Sequence, residues 1–249
     1  MALRRSFAPS PLLLWSSALL SASATAQTPA YDLIIRGGTI YDGSGKAPAV
    51  GDVAIKDDRI VAVGKVDGTA KTEVAAKGMA VAPGFINMLS WATESLIADP
   101  KSESDIRQGV TLEVMGEGWS MGPMNATMKR LETERQGDIK YPIEWTSLGD
   151  YLGWLEKRGV SANVASFVGT ATVRVHELGE GDVDPNPEQL TRMRALVQQA
   201  MNEGAMGVGS SIIYAPGSYA ETDELVALTS EAAKCGGMYI SHMRSEGDR

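Results

Sequence analysis

The stretch "VAPGFINMLSWA", Val81 to Ala92, is where the rhythm of the chain changes and where its fold is decided. Before it, the sequence reads as β. "YDLIIRGGTIYDG" is a strand running into a glycine-rich turn, and "GDVAIKDDRIVAVG" holds two alternating apolar runs around Asp57 and Asp58, a hairpin pattern. A small antiparallel unit is expected there. After it, short apolar runs alternate with helical patterns: "GFINML" and "ESDIRQ", "VTLEVMG" and "NATMKRLETE", "ANVASFVG" and "NPEQLTRMRALVQQAMNEG", "MGVGSSI" and "ETDELVALTSEAAKCGG", then "MYISHM". That alternation predicts an α/β architecture with a parallel sheet and helical crossovers.

Two helices have legible ends. In the first, Asn186 is the N-cap and Pro187 the first helical residue; Leu190, Met193, Leu196 and Val197 share a face, and Gly204 ends the run. In the second, Thr222 precedes the acidic Asp223 and Glu224, the stripe Leu225, Leu228 and Ala232 follows, and Gly236 closes it. Both are expected to cover a sheet. The polar and aromatic "TERQGDIKYPIEWTSL" reads as the longest connection, lying over the surface at the open end of that sheet.

The N-terminus follows different rules. "MALRRSFAPSPLLLWSSALLSASATAQ" carries Arg4 and Arg5, an apolar run from Leu12 to Leu20, and the small-residue pattern Ala24-Thr25-Ala26. It reads as a secretory signal cut before Gln27, and "RRSF" leaves twin-arginine and ordinary export both open. The mature protein is therefore expected to be periplasmic or secreted, with no membrane partner after processing. Removing residues 1–26 takes away two of the 23 basic and none of the 31 acidic residues, moving the formal charge from -8 to -10, which argues against nucleic acid as a partner. The single cysteine, Cys235, allows no internal disulfide and is expected to be a small packed residue.

Taken together, "YDLIIRGGTIYDGSG", "VAPGFINM", "GVTLEVMGEGWSMGP", "GVGSSIIYAPGSYAETDELVAL" and "YISHMRSEGD" resemble the D-aminoacylase branch (N-acyl-D-amino-acid deacylases) of the amidohydrolase superfamily. The resemblance covers nearly everything from Tyr31 to Arg249. It implies a small β-sandwich beside a TIM-type (β/α)8 barrel, with zinc at the C-terminal ends of the strands. Five strand patterns after Val81 fall short of the eight such a barrel needs. The expected organisation is a signal peptide over residues 1–26, part of the β-sandwich over 27–82, and the first five β/α units of the barrel over 83–249, the remainder missing.

The site departs from the family pattern. On the first barrel strand the family carries Gly-Phe-Ile-Asp-x-His-x-His, two imidazoles facing the same side; here Asn87 replaces the aspartate, and Leu89 and Trp91 stand at the two histidine positions. Neither side chain can hold a cation, and together they are expected to fill the barrel mouth where two imidazoles and an ion would sit. The family's cysteine on the second strand is absent, with Glu117 of "GEGWSMGP" beside that position as a candidate ligand. The fifth-strand histidine is matched by His242 in "SHMR". Zinc, one ion at most, is thus assigned by resemblance to His242 and Glu117. The family's general base would lie beyond Arg249. Ser211, Tyr214 and Arg244 stand at matching places for holding substrate, an arginine fork being suited to a carboxylate. His176 reads as structural or surface, since the family's histidine in that run aligns with Thr170; Arg174 reads as an ion-pair or pocket residue, and Gly217 as a turn residue.

The function expected is an exported hydrolase of C–N amide bonds in a small-molecule amide such as an N-acyl-D-amino acid. A metal-depleted homologue that binds a ligand without catalysis, and an inactive truncated product, are the alternatives left open.

Overall fold

Residues 29–247 are described in a computed structural model; the expected signal peptide lies outside them. The chain is mixed α/β and divides into two units, one ending at Pro83 and one beginning at Gly84.

The first unit holds β1 (Tyr31–Ile40), β2 (Ala49–Lys56), β3 (Arg59–Gly64), β4 (Ala70–Ala75) and β5 (Ala80–Val81), in the order β3-β2-β1-β4 with β5 also on β1. The hairpin at Asp57-Asp58 is present, and Asp57 takes the positive φ of 56° that its tight turn requires. The sheet is mixed rather than antiparallel as expected, because β4 and β5 run parallel to β1. The cause is the crossing between β3 and β4. Val66 in that crossing is buried with Ile34 and Ala54, so the chain passes over one face of β1 to reach its far edge. Arg36 pins the crossing by donating to the carbonyls of Val66 and Gly68, each at 2.8 Å, while pairing with Asp52 and Glu73, each at 3.0 Å.

The second unit runs β6 (Phe85–Asn87), α1 (Ser95–Ala98), α2 (Glu103–Ile106), β7 (Val110–Met115), α3 (Ala126–Arg135), α4 (Leu148–Arg158), β8 (Asn163–Ser166), β9 (Val168–Gly169), α5 (Thr170–Leu178), α6 (Pro187–Asn202), β10 (Gly207–Ser211), a 3-10 turn (Gly217–Tyr219), α7 (Thr222–Ala233) and β11 (Met238–His242). Its strands form two parallel ladders, β6-β7-β8 and β9-β10-β11. Only Phe167 separates β8 from β9, and its N–H donates to Met115 O at 2.8 Å. Neighbours in space therefore follow sequence order, as helical crossovers of one hand produce.

Alternation assigns the two faces. Val168 and Val208 are register partners, fully buried, and pack with Met193 and Val197 of α6 and Leu228 and Ala232 of α7. One step along each strand, Gly169, Gly209, Ser211 and His242 point away from the helices. Helix α6 starts as expected: Asn186 accepts from Gln189 N–H at 2.9 Å, and the Gln189 side chain accepts from Asn186 N–H.

Two helices differ from expectation. α4 begins at the end of the segment expected to be a long connection, through a capping box between Ser147 and Asp150. α5 carries Thr170, Thr172, Val173 and Val175, β-branched residues of low helix propensity, and is buried on nearly every side, so no amphipathic period marks it. Its interior holds Arg174, fully buried and paired with Glu224 of α7. Of the acidic pair that starts α7, Glu224 thus faces inward and Asp223 stays exposed. Cys235 is exposed rather than packed, because it falls in the turn beyond the last apolar position of α7.

Candidate functional site

The loop after β7 lies directly on the inner face of the second ladder. Gly116 and Gly118 have φ of 95° and 81°; a Cβ on Gly116 would come within 2.0 Å of Phe167 O, and one on Gly118 within 1.9 Å of Ser211 Oγ. Only glycine combines that backbone with that approach. Between them, Glu117 is aimed at β11. Its Oε2 lies 3.1 Å from His242 Nε2, with the two side chains 10% and 25% exposed. The alignment is not that of a hydrogen bond, and Oε2 stays buried without a donor.

The surroundings of this pair come from β10 and the turn after it. Ser211 is the register partner of His242 and is buried. The exposed Tyr214 ring meets the imidazole edge-on at a centroid separation of 5.9 Å. Glu246 Oε1 stands 3.7 Å from Nδ1 on the other side of the ring, too far to hydrogen-bond. Arg244 donates to the carbonyls of Ser218 at 3.2 Å and Ala220 at 2.6 Å, tying the end of β11 to the 3-10 turn, where Gly217 is buried against Ser211 O. The structure therefore gathers Glu117, Ser211, Tyr214 and His242, and sets Arg244 against backbone.

The end of β6 contrasts with this. The strand stops at Asn87, so Leu89 and Trp91 lie beyond it, 44% and 56% exposed. The backbone pairing continues past the strand, with buried Ser90 donating its N–H to Val114 O at 2.8 Å, while the Leu89 and Trp91 side chains on either side stay exposed rather than filling a barrel mouth as expected. Asn87 donates to Glu113 Oε2 at 3.1 Å. Glu113 is fully buried with Oε1 unpaired, a polar residue that sequence reasoning missed although a lone charge inside the apolar run "VTLEVMG" was its signal. Thr170 opens α5 with its Oγ1 buried and unpaired. His176 contacts Glu177 at 3.1 Å, away from the group around His242. Among the described residues, no three His, Cys, Asp or Glu side chains converge as a ligand set.

No protein-family model matches the chain. The chain is 31% identical over 223 residues to a D-aminoacylase of Alcaligenes xylosoxydans xylosoxydans, a match covering 88% of this chain and 45% of the relative. Its fold matches a solved D-aminoacylase with a binuclear metal centre, described by one-metal activation and second-metal attenuation, at a TM-score of 0.78 and 29% identity over 88% of this chain and 46% of that one. This chain is a relative of the amidohydrolase D-aminoacylases. A second solved relative is the N-acyl-D-glutamate deacylase of Bordetella bronchiseptica, complexed with zinc and a phosphonate inhibitor, with a TM-score of 0.76 and 29% identity over the same shares of the two chains. The D-aminoacylase relative described here spans about half the length of the curated relatives it matches.

Proposed function

We propose that this D-aminoacylase relative is part of an exported hydrolase of small amides, N-acyl-D-amino acids in the first place, and that Glu117 and His242 hold a single zinc ion. The observation that carries this reading is the Glu117–His242 pair. Two donor atoms 3.1 Å apart, with no hydrogen bond between them and one left unpaired in a buried place, suit two ligands of one cation. At usual Zn–N and Zn–O lengths a tetrahedral ion separates such atoms by about 3.4 Å. The donor types fit as well, a neutral imidazole and a carboxylate. Leu89 and Trp91 offer no donor, which limits the site to one ion.

Held by Glu117 and His242, zinc would supply Lewis acidity toward an amide carbonyl and activate water for attack. The chain's own residues orient the substrate. Tyr214 offers a hydroxyl at the open side of the imidazole, Ser211 lies beneath it, and Arg244 holds the turn that carries both sides of this opening, with its Nε–H making no hydrogen bond among the described residues and so available to a carboxylate. The proton-accepting carboxylate belongs to a segment outside residues 29–247. In this reading the two ladders are the first five strands of a (β/α)8 barrel, β8 and β9 being one strand interrupted at Phe167, the preceding sheet is part of a β-sandwich, and residues 1–26 direct export.

The test is hydrolysis by the zinc-loaded protein from its native source, using N-acetyl-D-amino acids and their L-enantiomers. Free D-amino acid should appear and should vanish in His242→Ala. The exposed Leu89 and Trp91 favour a second reading, a ligand-binding homologue without catalysis; saturable ligand binding with no hydrolysis in the zinc-loaded protein would establish it and end the first.

A further inference from the structure

Beside the β6 and β7 ends lies a cavity of about 350 Å³, at the small end of roughly 300–1,000 Å³ for small-molecule pockets. Its apolar wall is made by Trp91, Trp119, Met121, Met124, Met128 and Leu131. Two exposed indoles at the entrance and three buried methionines behind them make a polarisable lining that adapts to a ring or a short aliphatic body.

Four charged side chains also line it: Glu94, Glu132, Arg135 and Glu180. Arg135 is consumed by Glu180 in a forked pair, with Nη2 at 3.0 Å from Oε2 and Nη1 on Oε1. The partnership holds the Glu180 carboxyl below its ordinary range, so both remain ionised and cancel. Glu94 accepts only a long hydrogen bond from Tyr141 Oη at 3.4 Å, and Glu132 makes none among the described residues. Burial, and then the charge of Glu94, push the Glu132 carboxyl up. The charge of Arg135 acts the other way on Glu132, so the balance is an apolar chamber in which three carboxylates outnumber one arginine, and neither Glu94 nor Glu132 has a cation hydrogen-bonded to it among the described residues.

We infer that this cavity binds a small organic ammonium ion, its charged head on Glu94 and Glu132 and its apolar body between Trp91, Trp119 and the methionines. A protonated amine donates charge-assisted hydrogen bonds to both carboxylates, relieving their repulsion, while the indole faces add cation–π attraction. An anion of the same shape meets a lining with more carboxylates than its one arginine, already forked to Glu180, can offset, and a neutral alcohol gains only the apolar contact. The inference goes beyond the proposed hydrolysis and does not depend on zinc, since it uses neither Glu117 nor His242.

The test is calorimetric and tryptophan-fluorescence titration of the whole protein with phenethylammonium, 2-phenylethanol and 3-phenylpropionate. Phenethylammonium should saturate a single site about tenfold or more tightly than the alcohol, and the propionate weakest, as one added charge-assisted contact implies. Glu132→Gln and Glu94→Gln, made separately in case one fails to fold, should each cut cation affinity about tenfold and leave the alcohol unchanged. Trp119→Ala should weaken cation and alcohol alike. Absence of saturable binding, equal affinity for cation and alcohol, a preference for the propionate, or full cation affinity in both glutamine variants would each overturn the inference. Zinc content and amide hydrolysis are read in separate assays, so failure here leaves the reading of the Glu117–His242 pair standing, and the reverse.

Discussion

The ends of β6 and β11 belong to the two parallel ladders of one unit but have been treated differently by the sequence. At β11, His242 is half-sheltered, faces a buried carboxylate and is braced by the adjoining β10 strand and the glycine loop after β7. At β6, the strand ends at Asn87, Ser90 N–H still donates to Val114 O, and the Leu89 and Trp91 side chains are apolar and open to solvent. The difference teaches that a polar site survives where the backbone around it is over-determined. The backbone of Glu117 is fixed, because Gly116 and Gly118 press the loop onto Phe167 and Ser211. At the β6 end the backbone is held at buried Ser90, on Val114 O, while the Leu89 and Trp91 side chains on either side stay exposed.

The largest effect expected on this contrast comes from behind the supported end. Arg174→Ala leaves Glu224 buried without its partner between α5 and α7, the helices that back β10 and β11, and should cost about 3–5 kcal/mol in urea unfolding. A loss below 1 kcal/mol would show that the supported end does not depend on this pair. Gly118→Ala should follow at about 3 kcal/mol, since the new methyl both demands a strained φ and meets Ser211 Oγ.

A smaller change is expected at the cap of α4. Ser147→Ala removes the hydroxyl that accepts from Asp150 N–H and should cost about 1 kcal/mol. The Asp150 carboxyl is held below its ordinary value by the backbone N–H groups of Ser147 and Thr146. Its contribution is therefore fully present above the unfolded aspartate pKa of about 4 and is lost as pH falls through the lower folded value. The stability gap between the parent protein and Asp150→Asn should close as pH falls below 4; a gap that widened would contradict the cap. The smallest effect belongs to the β6 end, where Leu89→Ala should change stability by under about 0.5 kcal/mol because the side chain is already 44% exposed.

What could be read from residues alone follows the same line. The β/α rhythm after Val81 and the Asn186–Pro187 start of α6 were legible because both rest on local periodicity and capping chemistry. The neighbourhood of Ser211 and His242 was legible because strand-end positions recur in the resembling family. The parallel pairing of β1 with β4 was not, since it depends on a crossing that Val66 buries and Arg36 pins, contacts between residues 30 or more positions apart. α5 escaped because burial on nearly every side erases the period that marks a surface helix. Glu113 left a signal, the lone charge in "VTLEVMG", but its unpaired oxygen and the carboxylates of the Trp- and Met-lined cavity were not legible, because which partners a carboxylate lacks depends on what the fold brings beside it.

The central claim, that metal-binding capacity survives at the β7 and β11 ends and not at the β6 end, is tested most directly by zinc titration calorimetry on the metal-stripped protein. The account predicts about one zinc per chain, with binding weakened at least 100-fold in both His242→Ala and Glu117→Ala and unchanged in a Leu89→Ala, Trp91→Ala double variant. Zinc binding that persisted in His242→Ala and Glu117→Ala, or no zinc binding by the parent protein, would contradict it.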